Sequence, residues 1–195
     1  NIIGKPGKNL TASLAYFISA VRTGKAANWT GTLFNEQAFS NRGRFSEQLQ
    51  DDFSFMQKAS EPSDTGWRGF FLPLLDENHL SIIQFFLRNE NNRKHQAKIK
   101  KDNDAVQFLL EVNLTTIGTM QIEGRIKNKE LDLIIRTRKF LKGPLKQGIE
   151  RVFVKTLSTS ELVGKLTFRV HSKLPPLPID KLNGYIRPSI PSTII

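Results

Sequence analysis

Residues 106–170 read VQFLLEVNLTTIGTMQIEGRIKNKELDLIIRTRKFLKGPLKQGIERVFVKTLSTSELVGKLTFRV, and this stretch decides the fold. It contains four runs in which apolar and polar residues alternate, a pattern typical of strands with one buried face. The alternating apolar positions are Val106, Phe108, Leu110, Val112 and Leu114; Met120, Ile122, Gly124 and Ile126; Leu131, Leu133 and Ile135; and Leu166, Phe168 and Val170. Between the third and fourth runs, Pro144 stands near the start of a helical pattern. The order is therefore three strands, one helix and one strand.

The connections inside this stretch indicate how the strands pair. Gly118 separates the first strand from the second, and Asn128–Lys129 predicts a two-residue hairpin turn. A helix between the third and fourth strands allows them to be parallel, with a right-handed crossover that covers the apolar face. The helical stripe consists of Leu145, Ile149, Val152, Phe153 and Leu157. We expect an α+β fold with a mixed β-sheet, in which one crossover helix (βββαβ) covers one face and the other face meets water.

The rest of the chain is organised around this module. Residues 1–62 predict a helical N-terminal subdomain, whose first helix ends at Gly24 and whose second runs from about Gly43 to Ala59. Trp67–Leu75 and His79–Arg88 predict a β-hairpin over residues 67–88. We expect an α+β domain over residues 63–174, with its core module at 105–172, an exposed polar loop at 89–104, and a Pro-rich extended tail at 175–195.

Size and composition restrict the class of protein. With 195 residues and 38% hydrophobic content, the chain can bury an ordinary globular core. Its purely apolar runs are far shorter than the roughly 20 residues that span a bilayer, so we expect no membrane span. The chain starts at Asn1 without a basic segment followed by an apolar one, so we expect a trimmed chain or a fragment without an intact signal peptide. It has no cysteine, which excludes disulfides and thiolate chemistry and leaves the compartment open.

The net charge of +11 is unevenly distributed. Residues 1–66 carry 7 basic and 6 acidic side chains, whereas residues 105–195 carry 15 basic and 7 acidic ones. This imbalance favours acidic partners: nucleic acid, an anionic membrane surface or an acidic protein face.

No constellation of catalytic or metal-binding residues stands out. His79, His95 and His171 fall in a hairpin, a loop and a late strand, without a second ligand at helical spacing. The carboxylate pairs Asp51–Asp52 and Asp102–Asp104 lie on a predicted helix and in the polar loop, where solvated charge is the ordinary interpretation. We therefore expect a non-enzymatic protein with no catalytic residue, metal site or cofactor. An enzyme with a dispersed site would instead show a deep pocket with convergent titratable groups.

A basic surface is the candidate binding site. The cationic side chains expected on the water-facing side of the sheet are Arg125, Lys127, Arg136, Arg138, Lys165 and Arg169. Glu111, Glu123 and Asp132 share that side by the same parity, so ion pairing across strands could absorb much of the charge. A nucleic-acid surface would add exposed aromatics for base stacking, but Phe108 and Phe168 point to the apolar side. A protein partner is favoured, and nucleic-acid binding through the basic sheet face is the alternative.

The order of these motifs resembles the C-terminal domain of flagellar hook-length control proteins, in a divergent alphaproteobacterial form. The resemblance covers residues 106–172. The matching elements are Leu110–x–Val112–x–Leu114, Ile117–Gly118 with Met120–x–Ile122, Leu131–x–Leu133–x–Ile135, the helix after Pro144, and Leu166–x–Phe168–x–Val170. Where the family typically has Pro–Glu before a Leu–Gly step, this chain has Thr115–Thr116 before Ile117–Gly118.

The resemblance implies a binding domain that switches the substrate class of the flagellar export apparatus and performs no catalysis. It implies an export-gate component as protein partner. It also implies a cytoplasmic protein, and leaves open its export through the flagellar apparatus.

Overall fold

A computed structural model describes residues 10–24, 43–76, 79–90 and 105–178. Within these ranges, three helices and six strands form. They are α1 (Leu10–Thr23), α2 (Gly43–Ser60), β1 (Arg68–Asp76), β2 (His79–Asn89), β3 (Val106–Leu114), β4 (Gly118–Lys127), β5 (Glu130–Thr137), α3 (Gly143–Thr159) and β6 (Val163–Val170). Most of the predicted polar loop and of the Pro-rich tail lies outside the described residues.

The six strands form one mixed sheet in the order β1-β2-β3-β4-β5-β6. β3 pairs with β4 and β4 pairs with β5, both antiparallel, whereas β5 pairs with β6 in parallel. The helix α3 connects the two parallel strands, as such a pair requires. The predicted α+β class with a mixed sheet is confirmed.

The register gives each face of β3–β6 its own chemistry. Phe108 lies opposite Gly124, Gly124 opposite Leu133, and Leu133 opposite Leu166, so the alternating apolar residues share one side, here called the apolar face. Gln121 lies opposite both Glu111 and Arg136, and Arg136 lies opposite Arg169. These residues, and the residues at alternate positions along the same strands, lie on the opposite side of the sheet, here called the polar face.

The turn between β4 and β5 follows from its residue types. Asn128 and Lys129 have φ of 50° and 64°, the left-handed conformation that a two-residue type I′ hairpin turn needs at both positions. Asn adopts this conformation more easily than most residues. Lys127 and Glu130 are therefore paired directly across the turn.

The chain divides into two compact units, each described by itself. One comprises residues 1–63, 68–84 and 179–195, and the other residues 64–67 and 85–178. In the first, Phe17 of α1 packs edge-on against Phe53 of α2 at 5.8 Å between ring centroids. Gly24 ends α1 with φ of 65°, and Gln57 of α2 donates a hydrogen bond to the Arg22 carbonyl of α1 at 3.2 Å.

In the second unit, α3 covers the apolar face less than the sequence predicts. No residue of α3 is fully buried, and Leu145 and Val152 of the predicted stripe are exposed. Its first turn lies on the apolar side, because Lys146 Nζ is 5.2 Å from the centre of the Phe168 ring. The contacts of α3 with the sheet are concentrated on the edge strand β6. The helix therefore shields the margin of the apolar face.

The polar face is not wholly open to water, which corrects the expectation of a free face. Gln121, on this face, is only 1% exposed and donates hydrogen bonds to Glu111 Oε2 at 2.7 Å and to the Pro175 carbonyl at 2.9 Å. Leu174 and Leu177 are buried as well. The segment after β6 therefore returns across the polar face as far as β4. Leu174 and Leu177 flank the Pro175–Pro176 pair, whose extended conformation lets both leucines bury their side chains without forming a helix or strand.

Candidate partner-binding site

The six cations expected on the polar face have different environments. Arg125 is held by Glu90, which follows β2: Nε donates to Oε1 at 3.0 Å and Nη2 donates to Oε2 at 2.8 Å. A two-point bond of this kind fixes the guanidinium plane. The hydrogen bond from Arg125 lowers the pKa of Glu90, and the positive charges of Arg125, Arg88 and Lys127 lower it further, against the opposing effect of burial. Arg125 is thus engaged within the unit.

Arg88 extends this polar network across β2 and β3. Its guanidinium group lies 4.7 Å from the centre of the Trp67 ring and donates a hydrogen bond to Gln107. Gln107 is in turn the direct neighbour of Arg125 in the sheet. The network connects Trp67 with β2, β3 and β4, and its contacts stabilise the packing of these elements.

Arg136 is placed differently from the sequence-based expectation. Its side chain is only 11% exposed, and its Nη1 lies 2.6 Å from Glu123 Oε2 on the neighbouring strand. We predicted a position on the water-facing side of the sheet for this residue. The structure instead places an ion pair there, in which the Arg136 side chain is shielded from water and Glu123 is 45% exposed.

Lys165 and Lys127 lie near acidic groups of the polar face. Lys165 Nζ is 3.4 Å from Asp132 Oδ1, but this lysine is 73% exposed and keeps much of its contact with water. Lys127 lies directly opposite Glu130 in the sheet. The polar face over β3–β5 is therefore largely charge-balanced.

The unbalanced positive charge lies at one end of the sheet instead. Because β5 and β6 are parallel, their carboxyl ends meet at the same edge, and Thr137 is the direct neighbour of Val170. Five exposed cations follow or end these two strands without an ion-pair partner among the described residues: Arg138, Lys139, Lys142, Arg169 and Lys173. We call this cluster, together with Phe140, the basic end.

Phe140 gives the basic end an apolar centre. Its side chain is 88% exposed, although it stands between Lys139 and Lys142 in the connection from β5 to α3. The start of this connection is fixed: the Thr137 hydroxyl donates to the Lys139 carbonyl at 2.7 Å, and the His171 amide donates to the Thr137 carbonyl at 3.0 Å. An aromatic ring is thus presented to solvent from a defined turn.

Two of the six predicted cations, Arg138 and Arg169, belong to the basic end, while Lys165 lies on β6 four residues before Arg169. Sequence reasoning missed Lys139, Phe140, Lys142 and Lys173, because it followed strand parity and ignored the connections. The signal was present in residues 138–142, RKFLK, where an aromatic residue stands among three cations immediately before a helix start.

The first unit contains a cleft of about 310 Å³. Its apolar lining residues are Ile18, Pro62 and Phe70, and its polar groups come from Arg22, Gln57, Ser60, Glu61 and Arg68. The Ser60 hydroxyl donates to the Gln57 carbonyl of its own helix at 2.7 Å, whereas the Gln57 side chain donates to the Arg22 carbonyl and so joins α2 to α1.

Asp51 and Asp52, the carboxylate pair, lie on α2 as predicted. Asp51 is exposed, while burial and the neighbouring charge of Asp51 raise the pKa of Asp52. Across the described ranges, no three histidine, aspartate or glutamate side chains converge in a way that could hold a metal ion. No helix in these ranges has the length and apolar character needed to cross a membrane.

Comparison of the chain with protein-family models, with curated proteins and with solved structures finds no match.

Proposed function

We propose that this chain is a non-enzymatic protein-interaction domain, and that its basic end docks on an acidic surface of a protein partner. The observation that carries the proposal is the segregation of charge. Acidic partners neutralise Arg125 and Arg136 within the unit, whereas Arg138, Lys139, Lys142, Arg169 and Lys173 are exposed and lack such partners among the described residues.

The combination of cations and one exposed aromatic ring suits a protein interface. Interface centres are enriched in aromatic residues and Arg, and a small number of such side chains supply most of the binding energy. Burying a Phe side chain in a partner's pocket contributes about 1.5–3 kcal/mol. The surrounding cations speed the encounter with an acidic surface and set its orientation.

The family resemblance of residues 106–172 supports a particular partner. We propose that the partner is an export-gate component of the flagellar apparatus. We also propose that docking switches the class of substrate that the apparatus exports. In this proposal the protein acts in the cytoplasm, and its passage through the export apparatus is a further possibility that the resemblance leaves open.

The test is the affinity of the full chain for the cytoplasmic part of the export-gate component from the same organism, measured by calorimetry. We expect the double variant Arg138→Glu with Arg169→Glu, and separately Phe140→Ser, to weaken binding by roughly tenfold or more. Lys155→Glu is the matched control, since it reverses an exposed cation on α3, away from the basic end. Equal affinity of all variants for this partner would rule out the basic end as the docking site. Absence of binding by the wild-type chain would rule out this partner.

Nucleic-acid binding is the second candidate, and Phe140 is the observation that favours it. An exposed aromatic ring among cations can stack on an unpaired base. The face that we first considered for this role, with Arg125 and Arg136, is largely neutralised and partly covered. The basic end is therefore the surface at which RNA or single-stranded DNA would bind.

A further inference from the structure

β6 is an edge strand of the sheet, and its outer side faces away from β5. No strand pairs with that outer side within the described part of the chain. Val163 is 67% exposed, and Gly164, Lys165, Arg169 and Val170 are exposed as well. Natural proteins usually protect such edges, because unpaired backbone groups accept another extended chain.

The hydrogen bonds at the two ends of β6 identify its free backbone groups. The Val163 amide donates to the Lys129 carbonyl and the His171 amide donates to the Thr137 carbonyl, each at 3.0 Å. Since backbone direction alternates along a strand, the odd-numbered residues of β6 bond to β5. The N–H and C=O groups of Gly164, Leu166, Phe168 and Val170 therefore point to the outer side.

The side chains beside this edge specify what an added strand would carry. Lys165 and Arg169 lie on the polar face, and an adjacent strand would place every second side chain next to them. Leu166, Phe168 and Val170 lie on the apolar face and would meet the intervening side chains. Opposite charges and apolar pairs stabilise neighbouring strands, so the complementary sequence alternates acidic and apolar residues.

A second copy of this chain is a poorer occupant of the edge. In an antiparallel pair of β6 strands centred on Thr167, Lys165 of one copy would lie directly opposite Arg169 of the other. Like charges placed directly opposite destabilise strand pairing. In this register, which pairs all four free residues of β6, the charges therefore favour a different, acidic partner.

We propose that the partner of the basic end contributes an extended segment of alternating acidic and apolar residues, which pairs with the outer edge of β6 as a seventh strand. This inference rests on the proposed function and adds the binding mode. Main-chain hydrogen bonds to four residues of β6 would supply affinity, and the alternating side chains would supply specificity. The edge ends at Val170, next to Arg169, so the segment would lead directly to the basic end.

The test uses the full chain and a capped peptide, Glu-Val-Glu-Val-Glu-Val, as probe, with amide hydrogen exchange followed by NMR. We expect the peptide to slow exchange at Gly164, Leu166, Phe168 and Val170 by about tenfold or more. The amides of Lys165, Thr167 and Arg169 already bond to β5 and should change little. The matched control is the same peptide methylated at alternate backbone nitrogens, which cannot complete the ladder and should give no protection.

Four outcomes would overturn the inference: no protection by the peptide, equal protection by its methylated form, protection already present in the free monomer, or dimerisation through β6. The calorimetric test of Arg138 and Phe140 is separate. If those variants bind more weakly while β6 gains no protection, the docking proposal stands and strand addition fails. If β6 is protected while those variants bind the export-gate component normally, strand addition stands and the basic end fails.

Discussion

At Gly124, one missing side chain decides how β3 and β4 fit together. The Phe108 ring lies across this glycine in the register, and a Cβ placed on Gly124 would overlap the ring. The backbone of Gly124 does not require a positive φ, so space alone excludes a larger residue. Alternation in the sequence predicts the apolar face, but only the paired strands reveal why one apolar position holds a glycine.

Gly124→Ala should lower the free energy of unfolding by about 1–3 kcal/mol, because overpacking a close contact forces the neighbours apart. Denaturant unfolding followed by circular dichroism measures the change. Phe108→Leu in the same chain should recover part of the loss, which separates steric overlap from a backbone effect. Gly148→Ala on α3, where a Cβ meets nothing within 4 Å, is the control and should stabilise by up to about 1 kcal/mol. Equal effects at the two glycines would contradict this interpretation of Gly124.

Glu90 makes stability depend on acid pH. Its pKa is lowered in the folded state, so its bond to Arg125 stabilises the fold above the ordinary carboxyl value of 4.5 and is lost as the pH falls through the lowered pKa. We expect Glu90→Gln to be less stable than wild type at neutral pH and to approach wild type in acid. Thermal unfolding at a series of pH values from neutral to acid measures the stability difference between Glu90→Gln and wild type. A stability difference that does not change with pH would contradict the prediction.

Asp52 provides a control of opposite sign for that experiment. Burial raises its pKa, so its charged form disfavours folding, and this cost disappears as the pH falls through the raised pKa. Asp52→Asn should therefore gain stability relative to wild type at neutral pH and lose that gain in acid. For each variant, the quantity compared is its stability difference from wild type as a function of pH. If the differences for Asp52→Asn and Glu90→Gln changed with pH in the same direction, global charge rather than local environment would control both.

Two arginines only two residues apart should respond differently to reversal. Arg136→Glu would place a carboxylate against Glu123 at a position that is only 11% exposed. Because Glu123 itself is 45% exposed, we expect a loss between the roughly 1 kcal/mol of an exposed pair and the roughly 3–5 kcal/mol of a buried one. Arg138→Glu alters an exposed side chain beyond β5 and should change stability by about 0.5 kcal/mol or less. Urea unfolding of the two variants measures both, and equal stability would mean that the pair with Glu123 contributes nothing.

The difference between these arginines also shows what parity in a sequence can predict. Alternation places both on the polar side, and the register confirms this for Arg136. Exposure depends on what reaches over the strand, and here that includes Glu123 from the neighbouring strand. Glu90, which holds Arg125, comes from the end of β2, and nothing in local spacing predicts that contact.

At the scale of elements, the strands and turns of residues 106–170 follow from local sequence, but the coverage of the sheet does not. The strands β3–β6 contain the four alternating runs, Asn128 and Lys129 form the turn between β4 and β5, and α3 begins at Gly143, next to Pro144. The segment carrying Leu174 and Leu177 has no periodic pattern, because its burial depends on contacts with distant β4. Prolines and isolated leucines alone favour an extended tail over a docked one.

Gln121 should be the main polar attachment of this segment. Gln121→Leu removes the hydrogen bond to the Pro175 carbonyl while keeping a side chain of similar size. We expect faster amide exchange at Leu174 and Leu177 and faster proteolysis around them, with little change in β5. Gln147→Leu, on the exposed surface of α3, is the matched control. Unchanged exchange would show that the buried leucines hold the segment without Gln121.

At the scale of the whole molecule, the net charge of +11 predicts weak attraction to any polyanion, whatever the specific partner. A single-stranded 20-mer of DNA should therefore bind weakly at 50 mM salt and much more weakly at about 200 mM, since such binding releases counterions. Phe140→Ser should leave this binding unchanged, because attraction to net charge does not use the ring. If Phe140→Ser weakens DNA binding as strongly as the double reversal of Arg138 and Arg169 does, base stacking at the basic end becomes the better account of the exposed ring. Retention of tight DNA binding at 200 mM salt would favour the same conclusion, since nonspecific attraction is largely screened there.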